Sequence, residues 1–150
     1  MSRKRRLTID KVWRVFSPFI KSVLEEVFGN RCISCGKHPL VGIDRQLGHF
    51  RPKIAYPRVR WWIKNLGIQC SRCNGPKQGA SHEFAEWIRK HYGQEEYDEL
   101  IYLSNQSHPV SQYEYEELLK RIKFYKKRLS SKKMTLREVY DDILNTKYGL

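Results

Sequence analysis

"LGHFRPKIAYPRVRWWIKNLGIQCSRCNG", residues 47–75, decides how this chain is read. It holds one histidine, six basic residues, two tryptophans and two asparagines, and it ends in a C-x-x-C pair followed by Asn74. The matching pair, Cys32 and Cys35 in "CISCG", lies upstream, so the chain carries its four cysteines as two knuckles. Two such knuckles supply the four thiolates of a closed tetrahedral site. Cys32, Cys35, Cys70 and Cys73 are therefore expected to hold a structural Zn²⁺ rather than to form disulfides. A site with four protein ligands has no open position for chemistry, and its metal contributes folding energy instead. The gap between the pairs is long for a simple zinc ribbon, so the segment between them is an insertion with a task of its own.

The charge of the chain suggests that task. In 150 residues there are 29 Lys and Arg against 16 Asp and Glu, a net charge of +13. A balance this basic predicts attraction to polyanions and association that weakens with salt. The insertion supplies Arg51, Lys53, Arg58, Arg60 and Lys64, with Tyr56, Trp61 and Trp62 interleaved, and Arg72 and Lys77 flank the second knuckle. Cationic groups neutralise phosphates and aromatic rings stack on unpaired bases, a mixture suited to branched DNA rather than to reading a sequence in a groove. No apolar run approaches the roughly 20 residues of a membrane helix, and "LTIDKVWRVF" behind the basic "MSRKRR" is no signal-peptide core. An intracellular protein without a membrane partner is the expectation. "MSRKRR" reads equally as a nuclear address or as a DNA-contacting arm.

Around the insertion the pattern is helical. Residues 10–28 place Val12, Trp13, Phe16, Phe19, Ile20, Val23, Leu24 and Val27 at helical spacing, with Pro18 as a candidate kink and Gly29 and Asn30 as the end. Residues 31–80 hold short β-prone pieces, "VGID", "QLGHF" and "LGIQC", between turns. From Ser81, a candidate cap, helices resume: "SHEFAEWIRKHYG", "QEEYDELIYLSN", and two segments opened by capping boxes, Ser111 with Glu114 and Thr135 with Glu138. The expected architecture is α+β in a single domain spanning 1–150: an N-terminal helix over 10–29, a zinc-stapled ββα core over 31–93 and a helical part over 94–150. The last helix, after "SSKKM", is read either as part of this domain or as a piece that docks on a partner.

"CISCG", then "GHF", Arg60, Asn65, "QC", "CN", Lys77 and Gly79, followed by Trp87 and "YGQEEYDEL", resemble the phage NinG/Rap family of recombination nucleases, within the HNH or ββα-metal superfamily. "VFSPFI" resembles that family's leading helix, and the similarity covers roughly residues 12–129. The resemblance implies a DNA endonuclease acting on branched recombination intermediates such as Holliday junctions and D-loops, in the cytoplasm of a bacterial host. It implies that His49 is the general base, that Asn65 braces the hairpin, and that Asn74 is a ligand of a catalytic Mg²⁺ or Mn²⁺. The residue types suit phosphodiester hydrolysis: a neutral imidazole takes a proton from water near pH 7, and a hard cation on oxygen ligands stabilises charge on the phosphate. The sequence departs from the family where Gly48, Gln46 and Ile63 stand at positions that usually carry metal-binding or acidic side chains. Asp44 and His82 are the candidates for the missing ligand. Paired nicks across a junction imply a homodimer. The competing readings are a zinc clip that grips DNA without cutting it, and a sequence-specific HNH nuclease of the homing or restriction kind.

Overall fold

The computed structural model describes residues 6–106 and 108–146. The basic arm at Met1–Arg5 lies outside them. Helix α1 runs Ile9–Phe28, where Thr8 caps its start by accepting from Lys11 N at 3.3 Å. Val12, Phe16, Phe19, Ile20, Val23 and Leu24 form its buried stripe. Pro18 lies inside the helix without ending it. Gly29, at φ 78°, stops the helix, and its N–H closes on Glu25 O at 2.9 Å. A left-handed φ suits glycine because it has no Cβ to clash. Asn30 then clasps Leu40 in both directions, donating to its carbonyl at 2.7 Å and accepting from its N–H at 3.1 Å. This clasp closes the loop that bears the first knuckle.

Strands β1 (Gln46–His49) and β2 (Leu66–Gln69) pair antiparallel, with Gln46 opposite Gln69 and His49 opposite Leu66. "VGID" is not a strand: Gly42–Asp44 form a 3-10 turn. Successive side chains of a strand alternate between faces. One face of the hairpin sends Leu47, Leu66 and Ile68 into a cluster with α1. The other carries Gly48 and Gly67, and a Cβ at Gly67 would lie 2.3 Å from Ile33 Cδ1 and 3.1 Å from Phe84 Cζ. A bare backbone here lets the first knuckle and a following helix ride directly on the strand. Ile33 N also donates to Ile68 O at 2.9 Å.

After a single helical turn α2 (Ser71–Asn74), four longer helices follow: α3 (Ser81–Tyr92), α4 (Gln94–Ser104), α5 (Gln112–Ser130) and α6 (Leu136–Leu144). Ser81 does not cap α3. Ala80 takes that position in a left-handed conformation, without a side-chain cap bond. Both capping boxes form as read, at Ser111–Glu114 and Thr135–Glu138. The last helix docks on its own chain: Val139, Tyr140 and Ile143 join the cluster of Val12, Phe16 and Ile20. A second cluster, with Val59, Trp62, Phe84, Ile88, Leu100 and Leu103, packs under α3 and α4. The fold is helix-rich α+β, with a two-stranded sheet set between two apolar clusters. No helix among the described residues is long and apolar enough to cross a membrane.

Candidate functional site

Sequence positions 38 residues apart meet at the knuckles. The Sγ atoms of Cys32, Cys35, Cys70 and Cys73 all lie within 4.8 Å of one another, and none is in a disulfide. Cys35 Sγ and Cys70 Sγ are 3.7 Å apart. A tetrahedron of thiolates at a Zn–S distance of about 2.3 Å requires neighbouring sulfurs about 3.8 Å apart. The donor set and its spacing therefore fit one Zn²⁺. Backbone hydrogen bonds from Cys70, Cys35 and Ser34 outweigh burial and bring the Cys32 thiol down to about 7, while burial and the neighbouring thiols push Cys73 up. Four sulfurs this close share negative charge only with a cation among them.

His49 ends β1, half-buried, with its ring 5.3 Å from that of Trp13 on α1. Its Nε2 lies 3.1 Å from the carbonyl of Arg60. A carbonyl only accepts, so the neutral ring carries its proton on Nε2 and leaves the Nδ1 lone pair unprotonated. Burial, with the cations of Lys53 and Arg60 behind it, lowers the imidazole to about 4 against the pull of that carbonyl. His49 is thus neutral at pH 7 with a defined tautomer. Asn65, fully buried, holds the loop that carries Arg60. Its side-chain oxygen accepts from Arg51 N at 2.7 Å, and its amide donates to Arg51 O at 3.1 Å and Val59 O at 3.0 Å. Its own carbonyl accepts from Phe50 N at 2.9 Å. One amide therefore fixes both limbs of the β1–β2 connection beside His49.

Asn74 is elsewhere. Its Nδ2 donates to Gln46 Oε1 at 2.8 Å, on α2 and at the far end of β1. Residues 46 and 49 point to opposite faces of the strand and are separated by about 10 Å along it. The expected convergence of Asn74 on His49 is not what the fold builds. Asp44 is occupied: its carboxylate accepts from Ser71 N at 2.8 Å and Ser71 Oγ at 2.6 Å, and pairs with Lys37. Lys37 first, then Ser71, hold that carboxyl at about 2. It starts the turn of α2 rather than offering itself to a cation. His82 is exposed in the first turn of α3. Among the described residues, the four cysteines are the one group of three or more His, Cys, Asp or Glu side chains placed to share a metal. No such group of side chains gathers Asp44 or His82 around a catalytic Mg²⁺ or Mn²⁺.

Gly48 shows why. A Cβ there would sit 1.9 Å from Gln69 Oε1, so the amide of Gln69 occupies the space that a ligand side chain would need. Gln69 is fully buried, and its Nε2 donates to Ser34 Oγ at 2.8 Å and Gly79 O at 2.7 Å, while Oε1 has no hydrogen-bond partner. It ties the first knuckle to the segment after the second. The reading of the sequence passed over Gln69. The signal was a lone amide in the apolar strand "LGIQC" across from a glycine.

The basic and aromatic run divides in the structure. Trp61 and Trp62, expected to face bases, are 4 % and 3 % exposed and belong to the two apolar clusters. Arg60 is buried too, with its Nε donating to Lys53 O at 3.0 Å. Arg58 pairs with Glu114 at 2.9 Å, and Lys64 with Glu96. Arg51 is bonded to Ser104 Oγ at 2.8 Å and covers the ring of Tyr56. Lys53, Arg72 and Lys77 are exposed. Much of the run is scaffold, because Trp61 and Trp62 pack with Val59, Ile63, Leu66 and Ile68 in the interior.

No solved structure matches this chain. It is 35% identical over 69 residues to the protein ninG of Escherichia phage lambda and to that of Escherichia phage 933W, covering 46% of this chain and 33% of each relative. It is 36% identical over 75 residues to the Septu protein PtuB of Bacillus thuringiensis, covering 45% of this chain and 26% of that protein. The chain thus spans about a third or less of the length of these curated relatives. A family model described as Bacteriophage Lambda NinG protein matches residues 2–135, most of its length, and the chain belongs to that family.

Proposed function

We propose that this protein is a structure-selective DNA endonuclease of the HNH kind, hydrolysing phosphodiesters in branched recombination intermediates. The observation that carries the reading is His49. It is a neutral imidazole with Nε2–H anchored on the Arg60 carbonyl and Nδ1 left to accept a proton, on a loop clamped by Asn65. In that role Nδ1 takes the proton of the attacking water. The Arg60 carbonyl holds the ring and stabilises the imidazolium as it forms. The order of hairpin, knuckle and helical turn and the membership of the NinG family support the same reading. The basic surface supports DNA as partner, and paired nicks would call for a homodimer.

A second reading, a zinc-dependent DNA-binding protein that does not cut, is favoured by one observation. The Gly48 position is filled by Gln69, and no second ligand cluster exists among the described residues. Nicking of a synthetic four-way junction separates the two. With Mg²⁺ or Mn²⁺ present, the chain is expected to nick the junction, and His49→Ala to lower the rate by about 10²-fold or more. Undiminished nicking by His49→Ala removes His49 as the base. No nicking by the parent chain in either metal, with junction binding intact, favours the binding reading. Stronger cutting of one linear sequence than of the junction points to a homing or restriction type of nuclease.

A further inference from the structure

The start of α1 and the loop after β1 enclose a cleft of about 450 Å³, lined by Ile9, Asp10, Trp13, Lys53, Ile54 and Arg60. That volume falls in the range of sites for small organic ligands, about 300–1,000 Å³. Its chemistry is mixed in a specific way. Trp13 is half-buried, its ring packed near those of Phe16, His49 and Trp61, and the exposed Lys53 ammonium lies over it at 5.3 Å as the movable cover. Ile54 stands 85% exposed at the mouth, an isoleucine that no contact of the fold requires to be there. Arg60 lines the cleft although only 6% exposed, and its charge is met there by the Asp10 carboxylate without a salt bridge between the two. A largely buried guanidinium whose only ionic neighbour is one carboxylate keeps donors that an anion can use. The cleft also adjoins the candidate base: the Trp13 ring contacts His49, and Lys53 and Arg60 are the two cations whose charge His49 feels.

We propose that this cleft receives one unpaired nucleotide of a DNA strand, with its base against Trp13 and Ile54 and its phosphate on Lys53 and Arg60. An aromatic face next to two cations, against a single carboxylate from Asp10, matches a base attached to a phosphate. A paired base cannot enter a concavity of this size, because its partner strand comes with it. Trp13, which the reading of the sequence placed in the core stripe of α1, takes the stacking role that Trp61 and Trp62 are too deeply buried to play. The proposal rests on the nuclease reading for its choice of DNA. It adds a structural reason for preferring branched substrates over intact duplex: a branch point presents a splayed nucleotide beside His49, and a paired strand does not.

The test measures binding of the zinc-loaded full chain without other divalent cations, so that no cutting is involved. The probes are fluorescein-labelled oligodeoxythymidylate of twelve residues and a fully paired duplex. Lys53→Ala and Ile54→Asp alter exposed positions that the fold does not need. Each is expected to weaken the oligothymidylate about fivefold or more while duplex binding stays within about twofold. Trp13→Phe keeps a ring in the packing and is expected to lose the quenching of tryptophan fluorescence by the oligothymidylate. Unchanged oligothymidylate binding by Ile54→Asp, or equal weakening of both probes, overturns the cleft as a nucleotide site. Tighter binding of oligouridylate than of oligothymidylate overturns the assignment to DNA. If nicking depends on His49 but the cleft variants bind normally, the nuclease reading stands and the cleft falls. The reverse result separates them the other way.

Discussion

The cysteine clip and the His49 loop share the stretch 47–75, which supplies half of the clip, and they came out differently. At the clip four identical donors converge to the spacing of one tetrahedral ion. At the loop the named residues disperse. His49 lies against α1, Asn65 is sealed inside the connection, and Asn74 is bonded to Gln46 on the other face of the hairpin. The contrast shows what spacing in a sequence can encode. C-x-x-C is local, since two residues are enough to turn both thiols to one side. A base and a ligand more than 20 residues apart depend on strand parity, and parity depends on where β1 ends. A shift of one residue moves a side chain to the opposite face.

Removing the clip's metal is the largest way to break this contrast. Structural zinc in small units contributes apparent binding free energies of about 10 kcal/mol or more. Stripping zinc, verified by metal analysis, is expected to lower the melting temperature sharply and to loosen residues around 31–80 in hydrogen exchange. An unchanged melt would show that the four thiols are not a structural metal site. Cys70→Ser should behave as the stripped protein does.

Next in size is the pH response of His49. Its folded pKa, about 4, lies below the ordinary histidine value of 6.5. The unfolded chain therefore binds the proton more readily between those values. Stability should be full above about pH 6.5 and fall as pH drops toward 4, by up to about 3 kcal/mol. Denaturant melts at pH 7 and pH 4.5 should show the loss. His49→Gln should flatten that part of the profile, and an unaltered acid slope in the variant would assign the effect to other groups. If His49 is the base, nicking should also persist below pH 6, where an ordinary histidine would already be protonated.

The smallest effect sharpens the comparison most. Gly48→Ala drives a Cβ into Gln69 Oε1, and overpacking of this kind costs about 1–3 kcal/mol. Gln69→Ala in the same chain should recover part of that loss, giving a non-additive double-mutant cycle. Additive losses would mean that the two positions do not share the space.

Much of the architecture was legible. The helical stripes, both capping boxes and the two strands follow from periodicity and local hydrogen bonding, which neighbouring residues settle among themselves. The errors share a physical cause. "VGID" has strand-like residues, but Gly42 and Asp44 form a turn because Asp44 is needed to hold Ser71. Ser81 loses the cap of α3 because the preceding chain turns through left-handed Ala80. Trp61 and Trp62 look like contact residues in a basic run, yet they are packed into the two apolar clusters, which sequence position alone does not reveal. Gln69 stood out only as a lone amide in an apolar strand, and its role exists only when Ser34 and Gly79 come together over it.

That glutamine sets a condition on how this chain can change. A carboxylate at position 48 requires the Gln69 side chain to move aside, since the first new atom already meets the amide across the hairpin. Removing the amide first unties Ser34 from Gly79 while nothing yet benefits from the room. Each single step costs packing or hydrogen bonds, and changing both positions together avoids the collision. The glycine and the glutamine are therefore coupled positions. A search for variants with an added metal ligand should sample both positions at once.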